Sequence, residues 1–84
     1  MINKGIEKKK IVYRATHRGS KEMDLLLGSF VNKYINSFSD SDLEKLKNLL
    51  LIEDEIIYKW YFKNSVELKV PNNNVTELLK TYKL

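Results

Sequence analysis

The stretch Met23-Asp24-Leu25-Leu26-Leu27-Gly28-Ser29-Phe30-Val31-Asn32-Lys33-Tyr34-Ile35-Asn36-Ser37-Phe38 decides the fold. Its apolar members Met23, Leu26, Leu27, Phe30, Val31, Tyr34, Ile35 and Phe38 fall at alternating steps of three and one, which lays them along one stripe of an α-helix. A helix with such a stripe needs neighbours to cover it. Downstream, Ser39 followed by Asp42 has the spacing of a near capping box, and Leu43, Leu46, Leu49 and Leu50 repeat the stripe in a second long helix. Glu53-Asp54-Glu55 places acids where a further helix has its positive end, with Ile56, Ile57, Trp60 and Tyr61 as its apolar face. Behind the turn-rich Pro71-Asn72-Asn73-Asn74, Val75, Leu78, Leu79 and Tyr82 predict a terminal helix with Asn74 as N-cap and Glu77 in its first turn. Upstream, Ile11, Val12 and Ala15 within the span from Ile6 to His17 predict a short first helix that closes at Gly19.

Val66-Glu67-Leu68-Lys69-Val70 alternates with period two, but a single strand has no partner in this chain. It is therefore expected as an extended connector that packs Val66, Leu68 and Val70 inward. The fold predicted is all-α, a small single-domain five-helix bundle over residues 1–84, with residues 1–8 as a flexible basic arm.

Composition removes several function classes. There is no cysteine, which excludes a disulfide scaffold, a thiolate nucleophile and Cys-based metal sites, and with a single histidine no metal centre is expected. The glycines at positions 5, 19 and 28 are too far apart for a phosphate-cradling loop. His17 has only Thr16 and Ser20 as neighbouring hydroxyls in sequence, at a basic helix end, so it reads as a surface contact rather than a catalytic base, and no enzyme activity is expected. No apolar run is long enough to cross a membrane and the start lacks a secretion signal, which predicts a soluble intracellular protein. Before Tyr13 the chain is rich in lysine and has neither arginine nor serine, unlike an organelle transit peptide, so a bacterial cytoplasm is the expected location.

The net charge of +4 is unevenly placed. Lys4, Lys8, Lys9, Lys10, Arg14, Arg18 and Lys21 face only Glu7 among the first twenty-one residues, while acids outnumber lysines from Glu22 to Phe62. A basic N-terminal face of this kind fits an acidic partner or nucleic acid, and equally a solvated arm that serves solubility.

The chemistry-bearing tract is His17-Arg18-Gly19-Ser20-Lys21-Glu22-Met23-Asp24. It sets a cation, a glycine and two acids at the mouth of the central helix, where backbone N–H groups have no partner within the helix. Gly19 is expected to turn the chain with a positive φ and to leave the backbone open to another protein. Arg18 offers a planar fork of donors, and Glu22 on the next turn is expected to brace it. Read as an ordinary surface pair, the same two residues contribute about 0–1 kcal/mol and no function. Leu25 and Gly28 lie away from the apolar stripe, giving a mixed apolar and charged patch unless another helix covers that face.

As it stands, Tyr13-Arg14-Ala15-x-His17-Arg18-Gly19-x-x-Glu22-Met23-Asp24-Leu25-Leu26-Leu27-Gly28-x-Phe30 resembles, almost residue for residue, the alphaproteobacterial form of the small helical factors that assist covalent FAD attachment to the flavoprotein subunit of succinate dehydrogenase. Leu49-Leu50 and Tyr58-x-Trp60 are similar to that family's Leu-Leu pair and aromatic-x-Trp helix, whereas Leu51 and Asp54-Glu55-Ile56 depart from its usual acid and its Asp-Pro-Asp-like turn. The resemblance implies an assembly factor for succinate dehydrogenase or fumarate reductase. In such systems a histidine of the client bonds to the flavin's 8α-methyl carbon, and the helper holds no FAD of its own. It also implies a client-facing contact made by Arg18, Gly19 and Glu22, supported by Arg14, His17, Asp24 and Leu25. No membrane insertion is expected, and a monomer when free. The rival readings are a nucleic-acid binder using Lys8, Lys9, Lys10, Arg14, Arg18 and Lys21, and a small basic interaction module of toxin–antitoxin type.

Overall fold

The computed structural model describes residues 4–84. Five α-helices follow one another: α1 Lys4–Thr16, α2 Lys21–Tyr34, α3 Asp40–Leu50, α4 Asp54–Phe62 and α5 Asn74–Thr81, with a 3₁₀ turn Ile35–Ser37 after α2. Among the described residues there is no strand. The all-α bundle expected from the stripes is the one observed.

The helix α2 is the centre because its stripe is the longest and most apolar. Leu26, Leu27, Phe30 and Val31 are fully buried, against Ile11 and Ala15 of α1, Leu46 and Leu49 of α3, Ile57 of α4, and Val75 and Leu79 of α5. Each such side chain withdrawn from water stabilises the fold by about 1.5–3 kcal/mol relative to exposure. Gly28 is buried as well, so of the two alternatives for its face the covered one is observed. The first helix crosses there, and a Cβ on Gly28 would stand 3.0 Å from Thr16 Cγ2, so the missing side chain is what lets α1 approach. At the other end of α2, Phe30 and Tyr34 meet ring to ring at 5.2 Å, and Tyr82 closes edge-on over Phe30 at 5.5 Å.

The helix starts are fixed by local chemistry. Ser20 caps α2 by accepting from Met23 N–H at 3.3 Å. Ser39 and Asp42 form the expected capping box on α3. The cap of α5 is Asn73, one residue earlier than expected, with its Oδ1 accepting from the N–H groups of Val75 and Thr76, both at 3.0 Å. The shift leaves Asn74 free to join helices: it donates to Asp42 Oδ1 at 2.7 Å and accepts from Lys45 Nζ at 2.6 Å. Asp42 is thereby held below the usual aspartate range, chiefly by Asn74 and then by the Ser39 backbone.

Two expectations need correction. The arm foreseen at 1–8 is helical from Lys4 onward, the part at 1–3 lying outside the described residues. Ionic contacts anchor it, with Glu7 accepting from Lys47 of α3 at 2.9 Å and Lys4 pairing with Asp40 at 2.8 Å. The connector at 66–70 does not pack inward: Val66 and Leu68 are 89% and 97% exposed, and Val70 alone is half-covered. The segment is a turn, with Val70 N–H donating to the Glu67 carbonyl at 3.1 Å, and a turn carries no alternation of faces. Asn64, in the left-handed region at φ 53°, has already swung the chain away from α4.

Candidate functional site at the corner of the first two helices

The linker from Thr16 to Lys21 is tied down by its own side chains. Thr16 Oγ1 donates to the Val12 carbonyl at 2.8 Å, which finishes α1. The His17 ring stacks on Tyr13 at 3.9 Å between centroids, and its Nδ1 lies 2.8 Å from the Tyr13 carbonyl. A carbonyl only accepts, so this nitrogen carries the proton. Asp24, in the first turn of α2, reaches back and accepts from Arg18 N–H through Oδ1 at 2.5 Å.

The Arg18 side chain then crosses to the α3–α4 junction. Its Nε and Nη2 meet Asp54 Oδ1, each at 2.7 Å, while Nη1 donates to the Leu50 carbonyl at 2.8 Å and Nη2 to the Ile52 carbonyl at 3.0 Å. The other oxygen of Asp54 accepts from Gly19 N–H at 2.6 Å. One carboxylate thus holds a guanidinium and the next residue's amide together, at the first turn of α4. The carbonyls of Leu50 and Ile52 lie where α3 has ended and would otherwise lack partners inside a helix.

This corrects the reading of Arg18 as a fork presented to solvent and braced by Glu22. Its side chain is 10% exposed, and four of its five N–H donors are bonded within the chain. The brace is Asp54, thirty-six positions along the sequence. Glu22 is exposed on α2 and has no ion-pair or hydrogen-bond partner among the described residues. Gly19 does not adopt a positive φ. A Cβ there would stand 3.1 Å from Asp54 Oδ2, a tight contact that the carboxylate would have to yield to by a few tenths of an ångström.

What faces outward is therefore a rim on a locked base. Arg14 on α1 is exposed, as is the stacked pair made by Tyr13 of α1 and His17 just after it. Glu22 and Leu25 share a face of α2, Leu25 being 64% exposed. The expectation of an exposed Leu25 holds, without the bare backbone of Gly28 beside it. Between this rim and α4 runs an open cleft of about 440 Å³, with Gly19, Ser20, Glu22 and Met23 on one wall and Asp54, Glu55 and Tyr58 on the other. Asp54 was expected only as an acid at a helix start and Tyr58 only as part of the Tyr58-x-Trp60 likeness, since an acid in the first turn of a helix looks the same whether it serves the helix end or a distant arginine.

The nucleic-acid reading loses a member of its set, because Arg18 faces inward, and Lys8 is turned toward Asn36 at 3.4 Å. Among the described residues no group of His, Asp or Glu could hold a metal ion, and no helix is long and apolar enough to cross a membrane.

The chain is 39% identical over 75 residues, 88% of its length, to a mitochondrial succinate dehydrogenase assembly factor 2 of Meyerozyma guilliermondii, and covers 56% of that protein. It is 37% identical over 82 residues, 94% of its length, to the protein of the same name from Candida glabrata, covering 54% of it. An FAD assembly factor of Acetobacter pasteurianus is 28% identical over 78 residues, with 93% of this chain and 69% of that one aligned. The chain spans about half the length of the eukaryotic relatives it matches. The expected bacterial cytoplasmic location is overturned by these relatives, several of which, including one from Dictyostelium discoideum, are named as mitochondrial. A lysine-rich start is thus no guide to compartment here. Residues 9–83 match the family described as flavinator of succinate dehydrogenase, which takes in α1 from residue 9 onward, the four later helices and the whole Arg18–Asp54 corner, and the chain belongs to that family.

Proposed function

We propose that this chain binds the flavoprotein subunit of succinate dehydrogenase, or of a fumarate reductase, and promotes the covalent attachment of that subunit's FAD. The observation that carries the reading is the family match over residues 9–83, running through a corner whose side chains are immobilised from within. The client supplies the chemistry: its own histidine and its own flavin form the bond. The helper contributes position. A surface held rigid before contact loses little freedom on binding and so orients the client's elements at low entropic cost.

Roles divide accordingly. Arg18 and Asp54 fix the corner, and Asp24 fixes its backbone. The Gly19 backbone, Glu22, Leu25, Arg14 and His17 form the contacting rim, with Leu25 as its apolar element. No side chain of this protein takes part in bond making, and the flavin stays with the client.

Purified flavoprotein lacking covalent flavin, mixed with FAD and this chain, tests the proposal by in-gel flavin fluorescence after denaturation. The expected result is a fluorescent client band that grows with added chain. An equal band without the chain, or none with it, overturns the reading.

A further inference from the structure

The cleft between α2 and α4 is lined by three acids, and two of them are already committed. Asp54 is taken up by Arg18 and the Gly19 amide, and Glu55 meets Lys59 one turn along α4 at 3.2 Å. Glu22, on the opposite wall, has no such partner among the described residues. Its chain neighbour Lys21 lies on a different side of the helix and does not face it. The rest of the lining is of another kind. Met23 is 1% exposed, Gly19 offers bare backbone, and Tyr58 stands half-buried with its ring set against Phe62 at 4.8 Å between centroids. A carboxylate without a counter-charge thus shares one recess of about 440 Å³ with an aromatic side chain braced by a second ring.

We infer that this cleft receives a basic side chain, an arginine or a lysine, projecting from the flavoprotein. The inference rests on the function proposed above and names what the client brings to the corner. Two features of the recess select the same chemistry independently. The free carboxylate calls for a positively charged donor, and the Tyr58 ring attracts a cation and packs against the aliphatic stem that carries it. A neutral or acidic side chain satisfies at most one of them. Arg18 does not compete for Glu22, because its charge is met by Asp54. The recess is open to solvent, which suits a side chain presented by another protein better than a free small molecule, whose sites bury most of its surface. Tyr58 thereby becomes a contact residue on α4, and the client is gripped between two helices and not along the α1–α2 rim alone.

The test is capture of purified flavoprotein lacking covalent flavin by the immobilised full chain, at about 0.05 M and about 0.5 M salt. The parent is expected to bind more weakly at the higher salt. Glu22→Gln, which keeps the shape and loses the charge, should weaken capture at low salt by about fivefold or more and bind with a smaller salt dependence than the parent. Glu22→Lys should weaken it further, by repelling the incoming cation. Tyr58→Leu should weaken capture by a similar factor, and Tyr58→Phe, which retains the ring, should lose less. Circular dichroism checks that each variant is folded, and Glu22, being exposed, keeps the test decisive even where Tyr58→Leu does not fold. Capture by Glu22→Gln as tight as the parent's, or with the parent's salt dependence, overturns the inference and leaves the proposed function standing. So does undiminished capture by folded Tyr58→Leu. A parent chain that captures no flavoprotein overturns the function itself and the inference with it.

Discussion

Replacing Asp54 by alanine removes the acceptor for three donors at once: Arg18 Nε, Arg18 Nη2 and the Gly19 amide. The guanidinium, 10% exposed, keeps the Leu50 and Ile52 carbonyls but loses its counter-charge. Removing one partner of a fully buried pair costs about 3–5 kcal/mol. Here the carboxylate side chain is 28% exposed and water can enter beside it, so about 2–3 kcal/mol is the expected loss. For a chain of 84 residues the whole stability is about 4–13 kcal/mol, and the loss corresponds to a fall in Tm of roughly 10–20 °C. Thermal and urea unfolding followed by circular dichroism measure it, with Glu22→Ala as the control that should move stability by less than about 0.5 kcal/mol. Asp54→Asn keeps an acceptor of the same shape without the charge and should fall between the two. A loss below about 0.5 kcal/mol in Asp54→Ala, or a larger loss in Glu22→Ala than in Asp54→Ala, would refute the assignment of Asp54 as the residue that holds the corner.

Gly28→Val should destabilise by about 1–3 kcal/mol in urea denaturation despite the better helix former, because its side chain enters the space occupied by Thr16 and forces α1 off α2. The pH dependence of stability should carry a contribution from Asp42. Its folded pKa lies below the ordinary 3.8, so the stabilisation is fully present above that value and is lost as pH falls through the depressed folded value; Asp42→Asn should flatten this part of an acid-unfolding curve. Leu46→Ala, at a fully buried position of α3, should cost about 2–5 kcal/mol, read as a lower urea midpoint at unchanged slope.

The helices were legible because each carries its reason locally. The stripe from Met23, α-helical as far as Tyr34 and tightened to a 3₁₀ turn at Ile35–Ser37, and the Ser39–Asp42 box are written within a few residues of where they act. The corner was legible as a place but not as a mechanism. Arg18 binds two backbone carbonyls, which have no signature in sequence, and an aspartate that resembles any acid at a helix start. Glu22, four residues away on the neighbouring turn, was the natural partner by proximity, and tertiary structure chose another. Gly19 was expected in a left-handed turn, but its φ is not positive, and what its missing side chain leaves open is a close approach, a Cβ there meeting Asp54 Oδ2 at 3.1 Å. At Val66–Val70 the alternation described a strand that nothing pairs with, and periodicity has no meaning in a turn.

A rigid corner that presents an outward rim to the client should let structure and activity separate in one double variant. Covalent flavin formed on the purified flavoprotein should be measured with the parent chain and with Arg14→Ala/Glu22→Ala, whose side chains are exposed and carry no internal contact among the described residues. The predicted result is a variant as stable as the parent that leaves the client with at most about a tenth of its covalent flavin, the loss of roughly 1.4 kcal/mol of contact. Full flavin attachment by this stable variant would contradict the claim that the rim at the α1–α2 corner is where the client is held.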